Sequence, residues 1–211
     1  MADDRSRAEH ERLLAAAHAM VADLASRAAE AERERCVPEE TMRAVLDAGI
    51  LHAMVPRRYG GPGLGLRTVC ELSRILAHGC ASTSWVVGFL VEHNWQFARF
   101  GQAAQDEIFP QRGLVTAAAQ LQPSGRLTAV DGGWSVSGRW AWCSGVRQSD
   151  WAILAGMDPA GVPRTFIVPV TSLTMDDDWY TSGMRATSSL TLVAEDAFVP
   201  AHHSVPLGVF A

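Results

Sequence analysis

The hydrophobic period of this chain changes once, near Pro110, and that change restricts the folds it can adopt. Before Pro110, apolar residues recur at three- and four-residue steps, the spacing of one helix face. After it, short apolar runs are separated by turns containing Gly, Pro and Asp, which is typical of strands. We therefore expect a helical half followed by a β half, with the boundary at residues 108–113. This order argues against alternating βαβ units and against a Rossmann fold.

Four helices are predicted in the first half. The first has its apolar face over residues 13–28, and the second begins at Pro38, since proline and two following carboxylates suit a first helical turn. The third is centred on residues 69–76. The fourth begins at the N-cap candidates of residues 82–84 and runs to about Phe100. In the second half, strands are predicted at 114–130, 134–137, 151–157, 165–170 and 190–199.

Composition excludes several classes of function. The 211 residues include 23 acidic and 18 basic side chains, and the net charge of −5 gives no electrostatic footprint for nucleic acid. The chain has no lysine. Schiff-base chemistry and a P-loop are therefore excluded, because each requires a lysine.

The four cysteines Cys36, Cys70, Cys80 and Cys143 are far apart and form no CxxC pair. They predict neither a zinc site nor a disulfide framework, and they favour a reducing compartment. The charged N-terminus does not predict a signal peptide, and the longest apolar run, near residues 85–91, is too short to span a bilayer. We expect a cytoplasmic protein with no membrane partner.

Two segments combine polar and aromatic side chains. On the fourth helix Trp85, Phe89, His93 and Gln96 share one face, which indicates either a pocket for a planar or phenolic ligand or a satisfied core histidine. The second segment is residues 140–145.

In residues 140–145, strand alternation sends Trp140 and Trp142 to one face and Ala141 and Cys143 to the other. This segment could stack on a flat heterocycle, or it could be an ordinary core strand. Cys143 has no neighbouring histidine that would activate it as a nucleophile.

Two further segments are polar. The turn at residues 183–189 contains Arg185, and it could bind an anion or cap a strand. His202 and His203 are adjacent, so on an extended segment they point to opposite sides and rarely share a metal. We predict that both are surface residues and that the chain has no metal site.

Three stretches in order resemble the acyl-CoA dehydrogenase superfamily: residues 53–64, residues 132–140, and residues 183–187 leading to Val199-Pro200. The resemblance implies an α+β fold. An N-terminal helical domain at 1–110 would precede a β-barrel or sandwich-like middle domain at 111–211. Relatives continue into a C-terminal four-helix bundle, which the sequence ending at Ala211 does not include.

One branch of that superfamily fits better than the dehydrogenases. Residues 81–85, His93-Asn94-Trp95 and residues 142–145 resemble the oxygenase component of two-component flavin-dependent monooxygenases that hydroxylate hydroxyphenylacetate or secosteroid phenols. The resemblance implies hydroxylation of a small aromatic substrate through a C4a-hydroperoxyflavin. It also implies a reduced flavin, FMN rather than FAD, delivered by a separate reductase.

The resemblance also assigns candidate site residues. Ser144 matches the family's catalytic serine beside flavin N5, or Cys143 does if the register slips by one. His93 matches a catalytic histidine facing the phenol, and Trp85 lines the same substrate cavity. The remaining flavin-binding candidates are Ala119, Gln120 and Trp142; Ala119 replaces a family serine, and Gln120 could substitute for it.

The bundle that the resemblance leads us to expect would supply a base, a flavin-contacting arginine and much of an oligomer interface. We therefore expect a homo-oligomer or a complementing C-terminal chain, and a chain that is incomplete for turnover alone. Two alternatives stay open. The protein could be an acyl-CoA dehydrogenase with FAD, or a non-catalytic half-length subunit that pairs with another chain.

Overall fold

The computed structural model describes residues 2–210, with side chains described for residues 4–209. The helices precede the strands, as predicted. The five α-helices are α1 (Ala2–Glu34), α2 (Glu39–Asp47), α3 (Leu66–Ala77), α4 (Ala81–Phe97) and α5 (Gln102–Arg112). α5 was not predicted, because the fourth helix was expected to end at about Phe100 and no further helix was expected before the boundary at 108–113. Pro110 instead lies in its last turn, and Gly113, at φ +74°, ends the helix.

The second half forms one mixed sheet. Its seven strands are β1 (Ala117–Val130), β2 (Gly133–Cys143), β3 (Trp151–Met157), β4 (Pro163–Pro169), β5 (Thr174–Asp176), β6 (Leu190–Pro200) and β7 (Ser204–Pro206). Their order across the sheet is β5-β6-β2-β1-β3-β4-β7. β1 and β3 are parallel, and every other neighbouring pair among these strands is antiparallel.

The sheet contributes to two hydrophobic cores. One contains the helices together with Ala117, Ile153 and Ile167 of the sheet. The other is formed by residues of the second half of the chain and includes Trp140, whose ring centroid is 5.8 Å from that of Phe166. These rings belong to strands separated by two others, so the sheet curls strongly enough to bring β2 and β4 together.

The end of β2 departs from strand alternation. Its pairing with β6 shifts register between Trp140 and Cys143, and Trp142 has a left-handed φ of +65°. Trp140 and Cys143 are consequently both buried, whereas Trp142 is 68% exposed. The prediction that the two tryptophans share a face is therefore wrong, because the irregularity reverses the direction of the side chains beyond it.

No helix among the described residues is both long enough and apolar enough to cross a membrane.

Candidate active site

A cavity of about 570 Å³ opens where α4, the adjoining ends of β1 and β2, and the turn at residues 184–189 meet. Its walls combine indole rings with hydroxyl, amide and imidazole groups. The lining residues are Trp85, Phe89, His93, Ala119, Gln120, Trp142, Ser144, Trp179, Met184, Thr187 and Ser189. Six residues predicted for the site are thus together in one cavity, although they come from three separate stretches of the chain.

The aromatic face of α4 forms one wall. The ring centroids of Trp85 and Phe89 lie 4.9 Å apart, and those of Phe89 and His93 lie 5.4 Å apart. Gln96 does not line this wall; its amide nitrogen donates instead to the carboxylate of Glu92. The predicted face is therefore present over its first three members.

His93 is a buried, hydrogen-bonded histidine that also lines the cavity. It is only 2% exposed, and its Nδ1–H donates to the carbonyl oxygen of Ala117 at 2.5 Å. Burial lowers its pKa to about 4, against the opposing effect of that hydrogen bond, so the ring is neutral at pH 7. The Nε2 atom therefore carries a lone pair, and it lies 3.7 Å from Glu92 Oε2, beyond hydrogen-bond distance.

Ser144 belongs to a chain of hydrogen bonds that has a fixed direction. Thr187 donates its hydroxyl hydrogen to the carbonyl oxygen of Met184 at 2.8 Å, so the 2.7 Å contact between Thr187 and Ser189 requires Ser189 to donate. Ser144 must then donate to Ser189 at 2.8 Å. Trp85 Nε1–H completes the chain by donating to Ser144 Oγ at 3.1 Å. Ser144 thus keeps one free lone pair, while its hydrogen is held by Ser189.

The turn at residues 184–189 is held in place by a carboxylate of α1. Glu32 accepts hydrogen bonds from the backbone N–H groups of Arg185 and Ala186, at 2.9 and 3.2 Å, and from the hydroxyl of Ser82. Burial acts to raise the pKa of Glu32, but these donors outweigh it and lower the pKa overall. The backbone N–H groups of this turn therefore bind a carboxylate of the same chain, that of Glu32.

Ser82 and its neighbours do not cap α4, contrary to prediction. The N-cap residue is Cys80, which makes no side-chain capping bond. Ser82 instead donates to Glu32, and Ser84 donates to the carbonyl oxygen of Ser73 at 2.6 Å. Both hydroxyls join α4 to other helices.

Cys143 is the predicted site residue that the structure places elsewhere. Its side chain is fully buried in the core around Trp140, and its thiol donates to the carbonyl oxygen of Trp140 at 3.3 Å. Burial raises its pKa to about 12, which excludes a thiolate at neutral pH. Ser144, one residue later, reaches the cavity because the irregular end of β2 turns Cys143 inward.

The side-chain amide of Gln120 makes hydrogen bonds to the backbone of this chain. Its nitrogen donates to the carbonyl oxygen of Ala141 at 3.0 Å, and its oxygen accepts the N–H of Gln122 at 3.0 Å. These bonds hold the end of β1 beside β2. Four lining residues were not selected from the sequence as site candidates: Trp179, Met184, Thr187 and Ser189. The only signal for three of them was the polar turn at 183–189.

The prediction that His202 and His203 are surface residues is wrong for His203, which is 3% exposed. The two histidines lie in a tight helical turn, Ala201–His203, rather than on an extended segment. Both rings consequently approach Glu107 of α5.

The arrangement of helices and the motifs around the cavity agree with a known family. Residues 7–112, half of the chain, match the family described as acyl-CoA dehydrogenase, N-terminal domain. The chain belongs to the acyl-CoA dehydrogenase family. Its similarity to flavin-dependent monooxygenases of this family extends over both halves of the fold.

Curated relatives include the oxygenase subunit HsaA of a flavin-dependent monooxygenase from Rhodococcus jostii (strain RHA1), which is 35% identical over 87% of this chain and 49% of its own. The oxygenase component of an FADH₂-dependent resorcinol hydroxylase from Rhizobium sp. (strain MTP-10005) is 34% identical over 86% of this chain and 46% of its own. The chain thus spans about half the length of the curated relatives it matches.

A solved structure agrees with the sequence relatives. XiaF from Streptomyces sp., in complex with FADH₂ and glycerol, matches with a TM-score of 0.92 and 32% identity. The match covers 98% of this chain and 54% of XiaF. The fold of this chain therefore matches about half of that structure.

The cavity fits a planar heterocycle. Its volume lies within the range of roughly 300–1,000 Å³ usual for ligand pockets, and its walls are mainly apolar with a few polar groups. The exposed indole of Trp142 offers a flat surface, and the free lone pair of Ser144 Oγ can accept a hydrogen bond. Trp142 and Ser144 could therefore hold a planar ring, whereas the amide of Gln120 is committed to Ala141 and Gln122.

Proposed function

We propose that this chain carries the cavity for reduced flavin and aromatic substrate in the oxygenase component of a two-component flavin-dependent monooxygenase. The supporting observation is that the groups needed for both ligands line one cavity. Trp142 lies at the end of β2 and Ser144 follows that strand directly, while His93 and Trp85 lie on α4. The relatives named as hydroxylases and monooxygenases support the same reaction class.

His93 is suited to bind a phenolic hydroxyl. The ring is neutral, and Nε2 is unprotonated because Nδ1 holds its hydrogen against the carbonyl of Ala117. A phenol O–H can therefore donate to Nε2, while the rings of Trp85 and Phe89 pack against the aromatic face. His93 would orient the substrate without first having to lose a proton.

Bound reduced flavin supplies the electrons that activate molecular oxygen. The chain's own groups bind the ring and limit access of water. Trp142 would stack on the flavin, and Ser144 would accept from a flavin N–H through its free lone pair. To donate a hydrogen into the cavity, Ser144 would first have to give up its bond to Ser189.

The resorcinol hydroxylase and XiaF both name FADH₂, whereas a solved structure at 21% identity, TdsC from Paenibacillus sp. A11-2, names FMN. The preference for FMN expected from the family resemblance therefore stays a prediction that binding measurements must decide. A separate reductase is proposed as partner because these relatives are named as oxygenase components or subunits. A homo-oligomer or a second chain would supply the remaining walls of the site.

Anaerobic titration of the purified chain with reduced and with oxidised FMN and FAD tests the proposal. We expect a reduced flavin to bind more tightly than its oxidised form. Ser144→Ala removes one hydrogen bond and should weaken binding by roughly 3- to 10-fold, whereas Ser26→Ala, on the exposed side of α1, should leave it unchanged.

Flavin binding by Ser189→Ala tests whether the Ser144 hydroxyl donates to Ser189. The substitution removes the acceptor that holds the Ser144 hydrogen, so binding should stay the same or become tighter. Equal weakening by Ser144→Ala and Ser26→Ala, or absence of any flavin binding, would argue against the proposed site. Co-purification of oxidised FAD would instead favour an acyl-CoA dehydrogenase.

A further inference from the structure

Three potential metal ligands converge outside the cavity. Glu107 lies on α5, and His202 and His203 lie in the turn between β6 and β7. Glu107 Oε2 is 2.7 Å from His202 Nε2 and 3.3 Å from His203 Nε2, and the three ligand atoms all lie within 4.8 Å of one another. None of the three residues lines the cavity described above.

His203 supplies a second and independent observation. Its side chain is 4% exposed, yet neither ring nitrogen has a hydrogen-bond partner of acceptable geometry among the described residues. An unsatisfied buried imidazole costs free energy, because the nitrogens lose the hydrogen bonds they would make with water. His203 Nε2 nevertheless lies 3.3 Å from Glu107 Oε2, so a cation bound by both atoms would satisfy it.

We propose that Glu107, His202 and His203 bind a divalent transition cation of the Zn²⁺ class, which joins α5 to the turn after β6. Two imidazole nitrogens and one carboxylate oxygen form a donor set used by zinc sites, with a fourth position left for water. Glu107 and His202 are both partly exposed, so a cation can enter from solvent.

The donor set also selects against other cations. Mg²⁺ and Ca²⁺ prefer oxygen ligands throughout, whereas two of the three donors here are imidazoles. Binding would replace the hydrogen bond that His202 Nε2 donates to Glu107, and the neutral ring would then carry its hydrogen on Nδ1, with no net loss of a proton. Ligand atoms now 2.7 and 3.3 Å apart require only small side-chain movements to surround a cation at about 2.0–2.2 Å.

The experiment is a calorimetric titration of the tag-free chain with Zn²⁺ after treatment with a chelator, supported by the visible spectrum of the Co²⁺ form. We expect one Zn²⁺ per chain, a rise in Tm on binding, and no competition from millimolar Mg²⁺. His202→Ala and Glu107→Gln change partly exposed side chains, and each should weaken Zn²⁺ binding by at least about 10-fold.

His78→Ala is the matched control, because it removes an exposed histidine at the end of α3. Its Zn²⁺ affinity and its Tm increase should equal those of the unmodified chain. Circular dichroism of the metal-free proteins verifies that each variant is folded. The proposal is overturned if His202→Ala and Glu107→Gln bind Zn²⁺ as tightly as His78→Ala does, or if the unmodified chain shows no stoichiometric binding.

Discussion

Trp142 combines two unfavourable features at the residue scale. A non-glycine residue at φ +65° costs roughly 1–2 kcal/mol, because its Cβ approaches the neighbouring carbonyl. Its large apolar side chain is also 68% exposed, so little burial offsets that cost. Strain of this kind persists where the surroundings impose it, and here it turns an indole towards the proposed flavin site.

A comparison of Trp142→Gly with Trp142→Ala separates the backbone strain at this position from the contact between the indole and the proposed flavin. Both variants lose the indole and should weaken reduced-flavin binding to a similar extent. Only glycine relieves the left-handed backbone, so Trp142→Gly should be more stable than Trp142→Ala by about 1 kcal/mol. Urea unfolding measures the difference in stability, and anaerobic titration measures the affinity. Equal stability of the two variants would mean that the backbone at this position is not strained.

At the scale of elements, the turn at residues 184–189 depends on contacts that are remote in sequence. Its amides bind Glu32 of α1, about 150 positions earlier, and its hydroxyl chain ends at Trp85 of α4. Glu32 therefore fixes three elements at once: α1, the start of α4 through Ser82, and the turn that forms one wall of the cavity.

Glu32→Gln should lower the free energy of unfolding at pH 7 by about 2 kcal/mol, because hydrogen bonds to a charged group are stronger than those to an amide. The folded-state pKa of Glu32 is lowered from the ordinary value of 4.5. This contribution is therefore complete above that value and is lost as the pH falls through the lowered pKa. The difference between the two proteins should shrink on acidification.

Urea unfolding at pH 7 and at pH 3.5 measures this difference. Glu30→Gln, an exposed change two residues earlier on α1, serves as the control and should alter stability by less than about 0.5 kcal/mol. A Glu32→Gln penalty that is the same at both pH values would contradict an ionic role for this carboxylate.

The elements themselves were predictable to different degrees. The aromatic face of α4 follows directly from helical periodicity, because Trp85, Phe89 and His93 are four residues apart. The two tryptophans of β2 were assigned wrongly, because a strand period assumes continuous pairing and β2 shifts register beyond Trp140. The partners of Glu32 were not predictable, because no local pattern relates residues about 150 positions apart.

At the scale of the whole molecule, the helices and the sheet share one core. Ala117, Ile153 and Ile167 of the sheet belong to the same hydrophobic cluster as the helices. Asn94 of α4 adds a polar connection: its amide oxygen accepts the N–H of Val115 at 2.8 Å, and its nitrogen donates to the Val115 carbonyl at 3.1 Å. The domain boundary at 110 and 111 stays a prediction, but these contacts favour unfolding as a single cooperative unit.

Asn94→Leu tests this cooperativity. The substitution keeps a side chain of similar size but leaves the N–H and carbonyl of Val115 without their partner in a fully buried site. It should lower the free energy of unfolding by about 3 kcal/mol.

Gln96→Leu is the matched control, because this amide lies on the same helix and its hydrogen bonds go to Glu92. Its effect on the free energy of unfolding should stay below about 1 kcal/mol. The helical signal by circular dichroism and the fluorescence of the tryptophans, four of seven of which lie in β2 and β3, should give coincident urea transitions in the unmodified chain and in both variants. Separate transitions for the two signals would mean that the helices and the sheet unfold independently, and that the shared core does not couple them.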